Sequence, residues 1–436
     1  MPSFAPVPAA VAVEPRAVGP VRSDPVRSYI IRRGVAGGHR ALPSRRADPR
    51  SRSQRRLTFE LPPGQSAFLW GARKTGKSTW LREHFADSIY YDFLKTDVML
   101  ELSRNPAALR EQLLAKDPKA LRVPIVLDKV QKVPQLLDEV QGLIENRRLR
   151  FVLCGSNPRK LKRGQGNLLG GRAWRFEMHP LVSAEIPDID LLRALNRGLI
   201  PAHYGQDHHR RALRAYVEDY LKEEVFAEGL TRNVGAFARF FDAVGFSHGE
   251  LINYANMARD CGVDAKTVKE YYQILADTLL GSFVEPFKRR QSRQVIAKAP
   301  KFYLFDVGVA GALTHRVITQ PKGEQFGRAF EHFIYMELLA HRSYSELGYP
   351  INFWRTKSGL EVDFVLADGE VAIEVKGAGR VDERDLSVLR SFADEFRPKH
   401  ALLVCAAGEE RVVGAVRVVP WRTFLARLWA GDYLRS

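Results

Sequence analysis

Eight consecutive residues, Gly71-Ala72-Arg73-Lys74-Thr75-Gly76-Lys77-Ser78, constrain this chain more than any other feature. They fit the pattern G-x-x-x-x-G-K-[ST] in full. The apolar stretch Ala67-Phe68-Leu69-Trp70 before them reads as a strand, and Thr79 to Phe85 as the first turns of a helix. A strand feeding a glycine-rich turn and then a helix opens a parallel α/β sheet. The turn also sets a chemistry. Gly71 and Gly76 permit backbone conformations that a side chain would block, so successive N–H groups converge on one anion. The helix N-terminus adds partial positive charge. Lys77 is expected to reach the β- and γ-phosphates of ATP and the Ser78 hydroxyl to hold Mg²⁺, with Gly71 to Thr79 forming the cradle.

A second apolar run, Pro124-Ile125-Val126-Leu127-Asp128, ends in a carboxylate. Asp128 is expected to support the same Mg²⁺ ion. The next residue, Lys129, is a poor general base at neutral pH, so nucleotide binding is better supported than hydrolysis. Asp92, ending another strand, is a substitute base if it reaches the attacking water. Ser156 and Asn157, after the strand 150–154, either touch the γ-phosphate or water, or form a simple turn. Arg172 reads either as an arginine finger toward a neighbouring copy or as a loop arginine.

The chain has 436 residues, enough for two to four domains. It lacks a run of about 18 apolar residues, so no membrane span is expected. Cys154, Cys261 and Cys405 form no C-x-x-C pair, which argues against zinc and disulfide frameworks and fits the cytoplasm. Net charge is +17, but residues 1–56 hold twelve arginines against three acids, a net +9. That Pro-, Ala-, Ser- and Gly-rich segment reads as a disordered tail, with some transit-peptide character in its composition. From 57 to 204 strands alternate with helices, as in a P-loop NTPase sheet. Expected strands are 67–70, 89–93, 124–128 and 150–154. Residues 205–315 become helical. Leu251, Tyr254, Ala255 and Ala258 mark one helix, Gly262-Val263-Asp264 a turn, and Val268, Tyr271, Tyr272 and Leu275 a second helix. Stretches 279–287 and 301–305 would complete a winged-helix-like module, or the whole region packs between domains.

Residues 316–436 carry a second chemical pattern. Leu360–Leu366 and Val371–Lys376 both alternate, separated by Ala367-Asp368-Gly369-Glu370 with its hairpin-forming Asp-Gly. The register then pairs residues whose numbers sum to 737. Asp363 faces Glu374, and Glu361 faces Lys376, all on one side of the hairpin. Facing carboxylates repel unless a cation lies between them. Asp363 and Glu374 are therefore candidate Mg²⁺ ligands, Lys376 a partner for water or phosphate, and Glu331, in the helical run 327–340, a third carboxylate. A helix near 383–396 and a strand at 400–405 follow.

These landmarks, with Gln131-Lys132-Val133-Pro134, Gly155-Ser156, Gly171-Arg172, Pro180-Leu181 and Tyr303-Leu304-Phe305-Asp306, resemble bacterial and archaeal AAA-family ATPases with a C-terminal domain of unknown function. The resemblance covers about residues 57–430. The C-terminal part is similar to the PD-(D/E)XK nuclease superfamily. That similarity implies a restriction-endonuclease-like α/β fold and metal-dependent phosphodiester cleavage by Asp363, Glu374 and Lys376, with Glu331 assisting. Val362 stands where the superfamily has proline, and Lys129 where the ATPases usually have glutamate. The implied partners are ATP, nucleic acid and other copies of the chain. The competing function is a non-hydrolysing, ATP-dependent switch that binds DNA or protein through the winged-helix-like region.

Overall fold

The computed structural model describes residues 54–435 apart from 160, 162–168, 222–232, 289–298 and 378–380. The Arg-rich segment before residue 54 lies outside the described residues. Its last residues do not: Arg55 and Arg56 are placed.

A five-stranded parallel sheet holds β1 (Ser66–Trp70), β2 (Tyr90–Asp92), β3 (Ile125–Asp128), β4 (Phe151–Cys154) and β5 (Ala173–Glu177), in the order β2-β3-β4-β1-β5. Four of these strands match the expected ones within a residue or two. The near-continuous apolar character of β1, β3 and β4 follows from burial on both faces, whereas the edge strand β2 is half-buried. Helices α1 (Lys77–His84), α2 (Thr96–Arg104), α3 (Ala107–Leu114) and α4 (Leu136–Arg147) flank the sheet. β5 is half polar, with an exposed Trp174, and its sequence does not announce a strand.

Helices α5 (Leu191–Arg197), α6 (Pro201–Tyr204), α7 (His209–Ala215), α8 (Val234–Ser247), α9 (Tyr254–Cys261) and α10 (Ala265–Asp277) follow. The α9–α10 turn has local causes. Gly262 takes a left-handed φ of 68° to end α9, and the Asp264 carboxylate accepts the Thr267 N–H to start α10. Leu251 falls outside α9, in a bridge to Lys301.

The hairpin expected as a wing exists, as β6 (Gly281–Pro286) and β7 (Lys301–Leu304), but it is not a separate appendage. β6 also pairs with β8 (Ile351–Arg355). It thereby joins an eight-stranded mixed sheet ordered β12-β13-β11-β10-β9-β8-β6-β7. The other strands are β9 (Glu361–Leu366), β10 (Val371–Lys376), β11 (His400–Cys405), β12 (Arg411–Val413) and β13 (Val416–Pro420). Helices α11 (Val307–Leu313), α12 (Glu324–Tyr344), α13 (Glu383–Phe396) and α14 (Trp421–Ala430) complete the chain. One face of this sheet shares an apolar core with α12 and α14, including Phe330, Phe333, Phe364, Ile373 and Phe424. α13 covers the other through Leu386, Leu389 and Phe392 against Val365 and Ala372.

Candidate functional site

The phosphate loop is built by steric necessity. Gly71 has φ +148°, and a Cβ there would lie 2.3 Å from the Met178 carbonyl oxygen. Gly76 has φ +97°, which also favours glycine. Lys77 is buried, and its ammonium donates to the carbonyls of Gly71 (2.6 Å) and Ala72 (2.7 Å). The Thr75 hydroxyl donates to the Ala72 carbonyl at 2.9 Å. Ser78 and Thr79 open α1, with Thr79 exposed. Arg73 and Lys74 face outward; the Tyr216 hydroxyl donates to the Arg73 carbonyl, and the Lys74 ammonium lies over the Tyr216 ring.

Asp128 ends β3, fully buried. Its Oδ2 accepts the Tyr90 hydroxyl at 2.7 Å, while its Oδ1 is buried without a hydrogen-bond partner among the described residues. Burial, with the Asp128 charge second, raises the Tyr90 hydroxyl pKa and pushes the neighbouring Cys154 thiol up to about 12. Tyr90 is thus a donor and Cys154 an inert thiol. Lys129 adopts a left-handed conformation, φ 66°, turning the chain into the short helix Val130–Lys132. Asp92 pairs in register with Asp128 but is engaged, its carboxylate meeting Arg82 at 3.0 Å and the Leu94 N–H at 3.0 Å. Ser156 and Asn157 are buried; the Gln131 amide donates to Ser156 Oγ, and Asn157 Oδ1 accepts the Arg159 N–H, a local turn. Arg172 pairs with Glu145 of its own chain at 2.7 Å.

The β9–β10 hairpin forms in the 737 register at three pairs, Leu366–Val371, Val365–Ala372 and Phe364–Ile373. Its loop is a four-residue turn, with Ala367 and Asp368 at φ 50° and 54°. The ladder stops at Asp363, whose Oδ2 accepts the Val375 N–H at 2.8 Å. The expected Glu361–Lys376 pair therefore does not form. Glu361 instead faces Arg355 on β8 and binds it at 2.9 Å, while Lys376 binds Glu374 at 2.7 Å.

Asp363 and Glu374 are both buried. Burial, then the carboxylates of Glu374 and Glu331, hold Asp363 well above the usual carboxyl range. Burial also raises Glu374, against the pull of Lys376. Glu374 Oε2 has no hydrogen-bond partner among the described residues. Glu331 is committed elsewhere, accepting the Tyr303 hydroxyl and lying 3.5 Å from the Lys301 ammonium. Among the described residues no group of three or more His, Cys, Asp or Glu side chains is disposed to hold a metal ion.

Sequence reading missed Lys301. It is buried, 2.5 Å from Glu361, and the carboxylates of Glu331, Asp363 and Glu361 overcome the effect of burial to raise its pKa. Lys301, Tyr303, Glu331 and Glu361 line an open cleft of about 460 Å³. Lys301 comes from β7, some thirty residues before Glu331, and no local pattern marks it.

Comparison with known proteins bears on the first site. Residues 64–186 match the model of an AAA domain. This segment is an AAA domain. Residues 189–319 and 326–424 match two domains of unknown function, DUF8612 and DUF4143. The AAA domain brings nucleotide binding as a class property, and the C-terminal domain is distinct from it. The chain is also similar to two uncharacterized mycobacterial proteins, Mb2031c of Mycobacterium bovis and Rv2008c of Mycobacterium tuberculosis. Each is 24% identical over 251 residues, covering 55% of this chain and 55% of the relative. The match therefore spans about half the length of these relatives. No helix among the described residues is long and apolar enough to cross a membrane.

Proposed function

We propose that the protein binds ATP at the AAA domain and that nucleotide state governs phosphodiester cleavage in nucleic acid by Asp363, Glu374 and Lys376. The observation that carries the second half is Glu374 Oε2, a buried carboxylate oxygen without a hydrogen-bond partner among the described residues, beside a second buried carboxyl. Two such groups are costly to ionise together, and a hard divalent cation would offset that cost. Asp363 and Glu374 would hold Mg²⁺, which when bound would polarise a phosphodiester and acidify a water. Lys376, tethered to Glu374, would steady phosphate charge. Glu331 would orient Lys301 and Tyr303 rather than bind the ion. In the AAA domain, Ser78 and Asp128 would hold the cation of MgATP, and Lys77 would turn from the loop carbonyls toward phosphate.

The test is incubation of the full chain with duplex DNA, single-stranded DNA and RNA in Mg²⁺ or Mn²⁺, with and without ATP. We expect metal-dependent cleavage that Asp363→Asn lowers about a hundredfold or more. Absence of cleavage on every substrate would overturn this reading.

Lys129 supports a second reading, an ATP-dependent switch presenting α9–α10 to DNA or protein. It follows Asp128 directly, and an ammonium side chain offers donors but no acceptor for a proton from water. Tight ATP binding with background turnover, and faster turnover in Lys129→Glu, are the expected results. Fast wild-type hydrolysis that Lys129→Glu leaves unchanged removes this reading.

A further inference from the structure

A cleft of about 180 Å³ lies between α7 and the segment that follows α11, away from both groups of residues described above. His209, Arg210, Arg214, His315 and Arg316 line it, and among the described residues no acidic side chain does. Arg210 and Arg214 are exposed, one turn apart on α7, and so lie on one side of the helix. Neither makes a hydrogen bond or ion pair within the described residues. Nearby Arg193 and Arg197 are spent on the backbone carbonyls of Tyr204 and Gln206.

Arg316 forms the floor. Its guanidinium donates to the carbonyls of Leu195 (3.1 Å) and Val307 (2.9 Å), which hold it in one orientation. It lies over Gly311, where a Cβ would come within 3.0 Å of the guanidinium. Its Nε is buried with no hydrogen-bond partner among the described residues. The local field is positive: burial first, then Arg197, Arg210 and Arg193, keep His209 below its ordinary pKa. Arg210 and Arg214, both unspent among the described residues, repel each other, and their guanidiniums match the geometry of a phosphate group.

We propose that this cleft is a phosphate-binding site, separate from the loop at 71–78 and from Asp363 and Glu374. It stands independently of either functional reading above. The phosphate belongs either to the backbone of a nucleic-acid strand or to a small phosphate compound.

The test uses the full chain. Phenylglyoxal labelling of Arg210 and Arg214 is read by mass spectrometry with a single-stranded oligonucleotide, with inorganic phosphate, with pyrophosphate, or with chloride at matched ionic strength. Protection by the oligonucleotide alone supports the site and assigns it to a polynucleotide backbone. Protection by phosphate or pyrophosphate supports it and assigns it to small phosphates. Protection by none of them, or equally by chloride, overturns it. If the oligonucleotide protects, Arg210→Gln/Arg214→Gln should weaken oligonucleotide binding about tenfold and reduce the slope of log affinity against log salt by roughly 1.4. Unchanged affinity and slope in that variant overturn the proposal. Both side chains are exposed, so the variant should keep the wild-type melting temperature.

Discussion

Asp128 shows how one hydrogen bond conditions a charged residue. It ends a buried strand, keeps one oxygen on Tyr90 and leaves the other unpartnered among the described residues. Tyr90→Phe would remove the hydroxyl donor from the buried Oδ2. We expect a loss of about 1–3 kcal/mol in urea unfolding, because an orphaned buried acceptor bears its full desolvation cost. His332 gives a pH dependence. It is fully buried, bonded through Nε2 to the Leu304 carbonyl at 2.6 Å and packed against the His248 ring. Burial, with Arg316 adding to it, lowers its pKa to about 3. The folded protein therefore binds fewer protons than the unfolded chain between about pH 3 and 6.5. His332 stabilises fully above that window and loses its contribution as pH falls through it. His332→Gln, which retains an N–H donor, should remove about 2 kcal/mol of the stability lost between pH 6.5 and 5. Equal acid limbs in the two proteins would count against this account.

At the scale of elements, the β9–β10 hairpin was legible because alternation and a turn signal are local. Its register follows the 737 rule for three pairs. The remaining three pairs, 363–374, 362–375 and 361–376, are not in the ladder, because the Asp363 carboxylate takes the Val375 N–H in place of a backbone partner, a competition that alternation cannot reveal. The helix spanning 383–396 and the strand spanning 400–405 fall where the sequence pattern puts them. β12 and β13 were not anticipated; the three-residue β12 is too short to carry a period. α4 ends on Arg148 in a left-handed conformation, φ 53°, with its N–H bonded to the Ile144 carbonyl. This exposed arginine occupies a position that favours glycine. Arg148→Gly should stabilise the protein by about 0.5–1 kcal/mol, measurable as a higher denaturant midpoint at constant slope.

For the molecule as a whole, Arg55 is the instructive case. Composition assigns it to an Arg-rich tail. In the structure its guanidinium donates to the carbonyls of Thr75 in the phosphate loop (3.2 Å) and His179 (2.5 Å) and to the Tyr344 hydroxyl of α12 (3.3 Å), and it pairs with the buried Glu185 at 3.3 Å. Removing it takes the cationic partner from the buried Glu185, which keeps the N–H groups of Arg56 and Val182. Arg55→Ala should cost about 3–5 kcal/mol in chemical denaturation and loosen the contact between the loop and α12. A variant as stable as wild type would show the pair to be dispensable. What could be read from residue order alone are features with local causes: the glycine-dependent phosphate loop, the buried strand ending in Asp128, the helix turn at Gly262 and the alternating hairpin. Each depends on torsion angles or periodicity within about a dozen residues. The tertiary structure decided the company those residues keep. It puts Lys301 among Glu331, Glu361 and Asp363, moves Lys376 to Glu374, and joins β6 and β7 to the C-terminal sheet. Buried charges select partners by proximity in space, and proximity across three hundred residues is set by how the sheets and helices pack.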